Sequence, residues 1–231
     1  AWGCSATTTM NITINPHPAP VISGNTTVCQ STTATYGVFN AAGNTYSWAT
    51  TGGNITSGLN TNSITVSWGN GTSGVVTITQ TNPLGCDSTV SINVTIIAPP
   101  APVIVGSNVV CETSTVSYSV ANAGGNFYNW SVIGGSIIGP SNSSSINVTW
   151  GAQGSGTVTI TQTNQWGCIT TGTLHVTIAP QPIVTIVTPP YLCSDASSSF
   201  SVSLSAGENA LWSVSGGNVI GPNTLSTLDA T

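Results

Sequence analysis

The hexapeptide TITQTN stands at residues 77–82 and again at 159–164, each time a few residues ahead of a Gly-Cys pair. The copies are 82 residues apart, and the same shift relates most other distinctive positions. Cys4, Cys86 and Cys168 obey it, as do Cys29, Cys111 and Cys193, Trp48, Trp130 and Trp212, and the pair Trp68 and Trp150. A period held without insertion means one structural unit copied head to tail. A unit of about 80 residues is near the lower end for independent folding, so each copy must use its core efficiently.

The surface has to be built almost without charge. The chain contains no Lys or Arg and five acids, Asp87, Glu112, Asp195, Glu208 and Asp229. With no cation, phosphate binding by counterion release is closed to it, which argues against nucleic-acid partners and anionic membrane surfaces. Regular Val, Ile, Tyr and Trp positions supply enough apolar surface for packed sheets and argue against disorder. No apolar run approaches the roughly 18 residues of a membrane span, so membrane insertion is not expected. No signal-peptide pattern opens at Ala1, and the chain is expected to be an interior piece of a longer protein. Six cysteines without CxxC pairs or His neighbours indicate disulfides formed in an oxidising, extracellular compartment.

The period sets the boundaries. Residues 1–18 match the end of a repeat and are expected to supply the last strand of an upstream unit; residues 19–100 and 101–182 form two full repeats, and 183–231 the first part of a third. Proline clusters mark the joints, at Pro16, Pro18 and Pro20, at Pro99, Pro100 and Pro102, and at Pro180 and Pro182. They favour extended chain and lack backbone donors, so the joints should be short, semi-rigid spacers. In the first repeat, alternation and Gly-rich turns predict strands at 21–23, 33–39, 45–50, 63–68, 75–81 and 88–96, with a short segment near Asn54. Seven short strands with a Trp on the third predict an all-β fold, a linear array of seven-stranded immunoglobulin-like β-sandwiches.

Trp48, Trp130 and Trp212 are expected in the sandwich cores. Trp68 and Trp150, at strand ends beside Gly, and Trp2 and Trp166, before Cys, fit packing at domain junctions; a sugar-stacking platform is the alternative role. The alternating threonines of TITQT would present a hydroxyl ladder one strand wide, and β propensity accounts for them. Two cysteine connectivities stay open. The antibody-like one joins Cys29 to Cys86 and Cys111 to Cys168 within repeats. The other joins Cys29 to Cys168 across a junction and leaves Cys86 and Cys111 to pair with further repeats. A strand of nine residues spans roughly 30 Å and a disulfide needs Cα atoms within about 7 Å, which favours the second. Cys4 and Cys193 occupy the equivalent positions of the flanking repeats.

Catalysis is not expected. The acids are scattered, their counterparts are not acidic, and neither His17 nor His175 recurs, so no acid–base pair, metal set or cofactor site is defined.

The segments VCQSTTATY (28–36), TYSWATTGG (45–53), SITVSWG (63–69) and TQTNPLGC (79–86) resemble the PKD-like, immunoglobulin-like repeats of very long secreted bacterial surface proteins. These include Bacteroidota adhesins, among them gliding-motility adhesins exported by the type IX system. The resemblance covers essentially the whole chain and implies a cell-surface stalk. Gly52 and Gly53 replace the acidic motif that many PKD domains carry after the Trp strand, so no calcium role is carried over. The function expected is structural: a stalk giving length, stiffness and protease resistance, with neighbouring repeats and laterally packed copies as partners. The alternative is a module beside a secreted hydrolase, serving as a spacer or binding a surface polysaccharide.

Overall fold

The computed structural model describes residues 2–181, 185–187, 196–204, 209–220 and 226–230. All regular structure among them is β, and no helix is long and apolar enough to cross a membrane.

The first repeat contains β1 (Thr27–Cys29), β2 (Thr33–Gly37), β3 (Thr45–Thr51), β4 (Gly53–Ser57), β5 (Ser63–Trp68), β6 (Ser73–Thr81) and β7 (Asp87–Ile97). They form two sheets, ordered β1-β7-β6-β3 and β2-β5-β4. The second repeat copies this with β8 (Val109–Cys111), β9 (Thr115–Ser119), β10 (Phe127–Ile133), β11 (Gly135–Ile138), β12 (Ser145–Trp150), β13 (Gly154–Thr163) and β14 (Ile169–Ala179). Its sheets are β10-β13-β14-β8 and β11-β12-β9. Alternation places every second residue between the sheets: on β6, Val76 and Ile78 are fully buried while Thr77 and Thr79 face outward.

The opening strand differs from the expected one at 21–23. Only Ser23 pairs there, in a bridge to Gly37, and the strand proper is β1, parallel to β7 in the opposite sheet. The chain edge therefore switches sheets between Ser23 and Thr27. The crossing runs over Tyr36, whose hydroxyl donates to the Asn25 carbonyl at 2.8 Å. A Cβ on Gly24 would meet the Tyr36 ring at 2.3 Å, so only glycine allows this passage.

Residues 2–18 hold no strand. A strand exists where a ladder partner exists, and no described segment pairs with MNITINP. The hydroxyl ladder also differs: it is wider than one strand. Thr77 Oγ1 lies 2.8 Å from Ser91 Oγ and Thr79 Oγ1 lies 2.7 Å from Thr89 Oγ1, carrying the hydroxyls from β6 onto β7.

The tryptophans need one correction. Trp48 and Trp130 are buried on β3 and β10, with indole N–H groups donating to Thr61 and Ser143 carbonyls, each at 2.8 Å. Trp68 and Trp150 are not junction residues; at 2% exposure each, they are the largest fully buried side chains. Trp68 sits edge-on to Tyr36 with ring centroids 5.9 Å apart, and Trp150 meets Tyr118 in the same way. The glycines that followed them in sequence are the reason. A Cβ on Gly74 would lie 2.3 Å from the Trp68 ring, and one on Gly156 would lie 2.3 Å from Trp150, so the turns are carved to admit an indole.

The described part of the third repeat is one sheet, β15 (Ile186–Val187), β16 (Ser198–Val202), β18 (Thr227–Ala230) and β17 (Val219–Ile220), in that order. Trp212, expected in a core, is only half-buried and belongs to none of these strands. Among the described residues no second sheet closes over it. Cys193, Pro182, Ile183, Asp195 and Glu208 lie outside the described residues.

Burial holds the phenols of Tyr36 and Tyr118 above their ordinary value of about 10. The Trp68 and Trp150 indoles oppose this weakly, without reaching hydrogen-bond geometry. The folded chain thus keeps these protons to higher pH than the unfolded chain. The stability they contribute is whole below about pH 10 and is lost as pH rises through the folded values. Urea midpoints should be level from about pH 7 to 9 and fall above 10, and Tyr36→Phe should flatten that fall for the first repeat.

Candidate functional site: a covalently braced junction

The two repeats meet where β7 ends and the linker 98–102 begins. Cys29, the last residue of β1, pairs in register with Ile97, the last residue of β7. Parallel pairing thus brings Cys29 to the same end of the first sandwich as the exit of the chain. In the second repeat, Cys168 closes the turn between β13 and β14, at the end of that sandwich facing the first. The two cysteines form a disulfide with Cα atoms 5.5 Å apart and 139 residues between them in sequence. The Cys168 sulfur also lies 3.8 Å from the Ile97 carbonyl oxygen.

A hydrogen-bonded clamp accompanies the disulfide. Asn164, buried at 7% exposure, accepts on Oδ1 from the backbone N–H groups of Trp166 and Cys168, at 3.1 and 3.0 Å. Its Nδ2 donates across the junction to the Ala98 carbonyl at 3.2 Å. One side chain thereby shapes the cysteine turn and ties it to the linker, so the turn is preset for the bond. Asn82 repeats each contact one period earlier, with the N–H groups of Leu84 and Cys86 and the Pro16 carbonyl. The tight turn itself uses Gly85 and Gly167, both at positive φ.

The far end of the second repeat carries a different clamp. Glu112, next to Cys111, accepts from the backbone N–H of Gln181 at 3.1 Å and of Gln153 at 3.2 Å. Gln181 Nε2 returns a bond to Thr113 Oγ1 at 2.6 Å. This carboxylate holds the exit linker.

The other cysteines among the described residues are free: Cys4 and Cys111 exposed, Cys86 half-buried. Cys168 is fully buried, whereas its equivalent Cys86 is not, because the first repeat covers the Cys168 turn. Trp2 and Trp166 are exposed, at 99% and 53%, and do not converge on a common face with the buried indoles. Exposed His17 donates from Nδ1 to the Asp87 carbonyl at 2.7 Å, again tying a linker to the β6–β7 turn. His175 is exposed on β14. Among the described residues no group of three His, Cys, Asp or Glu side chains could hold a metal ion. Sequence reasoning missed Asn82 and Asn164 although both lie in the repeated hexapeptide; their signal was recurrence at a fixed distance before Gly-Cys.

Two sheets and seven strands in each of the first two repeats, with a disulfide across their joint, define a tandem array of immunoglobulin-like β-sandwich domains. A family model described as a PKD-like domain matches residues 15–96 and 98–176, more than half of the chain. The chain belongs to the PKD-like domain family. No curated protein matches it. Among solved structures it is similar to a C-terminal fragment of intimin in complex with the intimin-binding domain of its translocated receptor, at 16% identity and a TM-score of 0.38, covering 74% of this chain and 67% of that one. It is also similar to the fibronectin(III)-like modules of Clostridium thermocellum CbhA, at 7% identity and a TM-score of 0.35, covering 69% and 95%. The insect immune protein hemolin matches at 13% identity and a TM-score of 0.38, covering 74% and 49%.

Proposed function

We propose that the chain is a section of an extracellular, non-enzymatic stalk in which tandem sandwiches are stapled across their joints. The observation that carries this reading is the Cys29–Cys168 disulfide. Tension entering through β1 reaches Cys29, crosses the sulfur bridge to Cys168, and leaves along β14. The chain between the two cysteines, most of both sandwiches and the whole linker, lies outside the load path. Sheet hydrogen bonds then need not bear the pull, and the joint cannot open.

In an array built on this period, Cys86 and Cys111 are the outward halves of the same staple, reaching to the previous and following repeats. Successive loops would overlap, because Cys86 and Cys111 both fall inside the 29–168 loop, and every joint would be bridged. Such bonds persist in oxidising surroundings, which supports placement at the cell exterior. A chain without Lys or Arg offers trypsin-like proteases no site, and an uncharged Thr/Ser/Asn surface suits fibres packed side by side. Together with the sequence resemblance, this supports a long adhesin-like surface protein of the Bacteroidota type, exported by the type IX route.

Single-molecule pulling tests the load path. At about 3.5 Å per residue, the 139-residue separation hides roughly 480 Å of contour length. The oxidised protein should withhold that length and release it after reduction. Equal contour lengths under both conditions would contradict the proposal.

A further inference from the structure

At the linker end of each sandwich lies an open groove, and the two grooves are equivalent under the repeat. The first, about 270 Å³, is walled by Pro18, Pro20 and Phe39 with Asn44 and Gln80 at its base; the second, about 280 Å³, has Pro100, Pro102, Ala121, Asn126 and Gln162 in the same places. Gln80 and Gln162 are the fourth residues of the repeated hexapeptide. They point inward from β6 and β13, opposite Tyr46 and Tyr128, at 5% and 4% exposure. Neither side-chain amide makes a hydrogen bond to a described residue, and what remains accessible of each faces the groove. At the same point of both repeats, therefore, the groove presents an amide that no described side chain or backbone group engages, open to whatever enters it.

The walls restrict what that ligand is. No charged side chain lines either groove, so an ion would enter unpaired. The prolines have no N–H, which removes the ladder an extended peptide needs for strand addition. An apolar side chain would fill the space and leave the glutamine amide unsatisfied. A neutral ring bearing vicinal hydroxyls meets every condition. Its C–H face packs on proline, and its hydroxyls both donate to and accept from the two amides. The volume, just under the roughly 300–1,000 Å³ of drug-sized pockets, suits one sugar ring.

We infer that each repeat carries a binding site for one unit of a neutral glycan, held by Asn44 and Gln80 in the first repeat and by Asn126 and Gln162 in the second. This stands independently of the stalk reading. Sites recurring once per repeat engage a polymer at several points, so weak single contacts sum to a firm hold. The first site adds Phe39, 86% exposed at the rim, where the second has Ala121; it should be the tighter.

The test is a side-chain amide NMR titration of the whole chain with three neutral hexasaccharides separately, cellohexaose, maltohexaose and mannohexaose, and with a hexameric galacturonate. At least one neutral sugar should shift the Gln80 and Gln162 amides saturably. Gln80→Leu should weaken the first site about tenfold or more and spare the second. Phe39→Ala should lower the first site severalfold, toward the second. Gln80→Leu is close in volume and apolar, and an unchanged melting temperature shows that it folds. Silence of both amides up to millimolar concentrations of all three neutral sugars would overturn the inference. So would sugar-induced shifts of the Asn44 and Asn126 side-chain amides that persist unchanged in the Gln80→Leu/Gln162→Leu variant, or equal binding of the galacturonate.

Discussion

Alanine at Trp68 is expected to destabilise the first repeat by about 3–5 kcal/mol and leave the second repeat almost unaffected. Trp68 is 2% exposed, packed edge-on against Tyr36 and enclosed by Gly53 and Gly74. Removing the indole empties a space whose walls are two hydrogen-bonded sheets, so collapse can fill little of it. A unit of this size has a total stability of roughly 4–12 kcal/mol, and the loss would consume most of it. Calorimetry should show two transitions where the parent has closely spaced ones, the lower belonging to the first repeat. Trp150→Ala should produce the mirror image. Trp68→Phe should cost less, since it keeps an aromatic edge against Tyr36 and deletes an indole N–H that is buried without a partner. A loss under 1 kcal/mol for Trp68→Ala would mean that the indole is not packed as described.

Replacing Cys29 by serine is the second large effect. With the first repeat folded, the disulfide anchors Cys168 to Ile97, and unfolding the second repeat then leaves a closed loop of about 70 residues. The chain-entropy estimate for such a loop is about 4 kcal/mol, rising to about 5 for the full loop when both repeats unfold. At 4–8 °C per kcal/mol for domains of this size, the Cys29→Ser protein should melt roughly 15 °C or more below the oxidised parent. The reduced parent should match the variant, because the two lack the same bond. Cys86→Ser, at a free cysteine, should leave melting unchanged. A parent whose melting ignores reductant would show that the bond is not made or constrains nothing.

Much of this fold could be read from the chain because one face of every strand is buried. Alternation in SITVSW and TITQT gave both the strands and their inward faces, and the structure places β5 at Ser63–Trp68 and β6 at Ser73–Thr81. The seven-strand count followed from the Gly turns. What alternation does not encode is which sheet an edge strand joins. Residues 21–23 look like a short strand, and the switch of sheets at Gly24 depends on the Tyr36 ring beneath it, a contact between residues that no local pattern links. Trp68 was misplaced for a similar reason. A Trp next to Gly at a strand end looks exposed until the opposite turn, at Gly74, is seen to have been hollowed for it.

The opening hexapeptide shows both sides of the matter. Its Ile78 was legible as core, and its threonines as outward-facing. Gln80 and Asn82 were given no role of their own, yet one faces an open groove with its amide unpaired and the other ties the linker to the cysteine turn. Their roles depend on the linker folding back onto the sandwich end, and proline content alone says only that the linker is stiff. Identity in both copies, letter for letter, was the sole mark that these polar positions were doing more than covering a surface.

Disulfide mapping of the non-reduced protein tests the braced junction most directly. Chymotrypsin is the enzyme to use, since trypsin finds no Lys or Arg. The account predicts a peptide pair joining Cys29 to Cys168, with Cys86 and Cys111 alkylated as free thiols. Pairs joining Cys29 to Cys86 and Cys111 to Cys168 would contradict it, leaving each sandwich closed on itself and the joint between them unbraced.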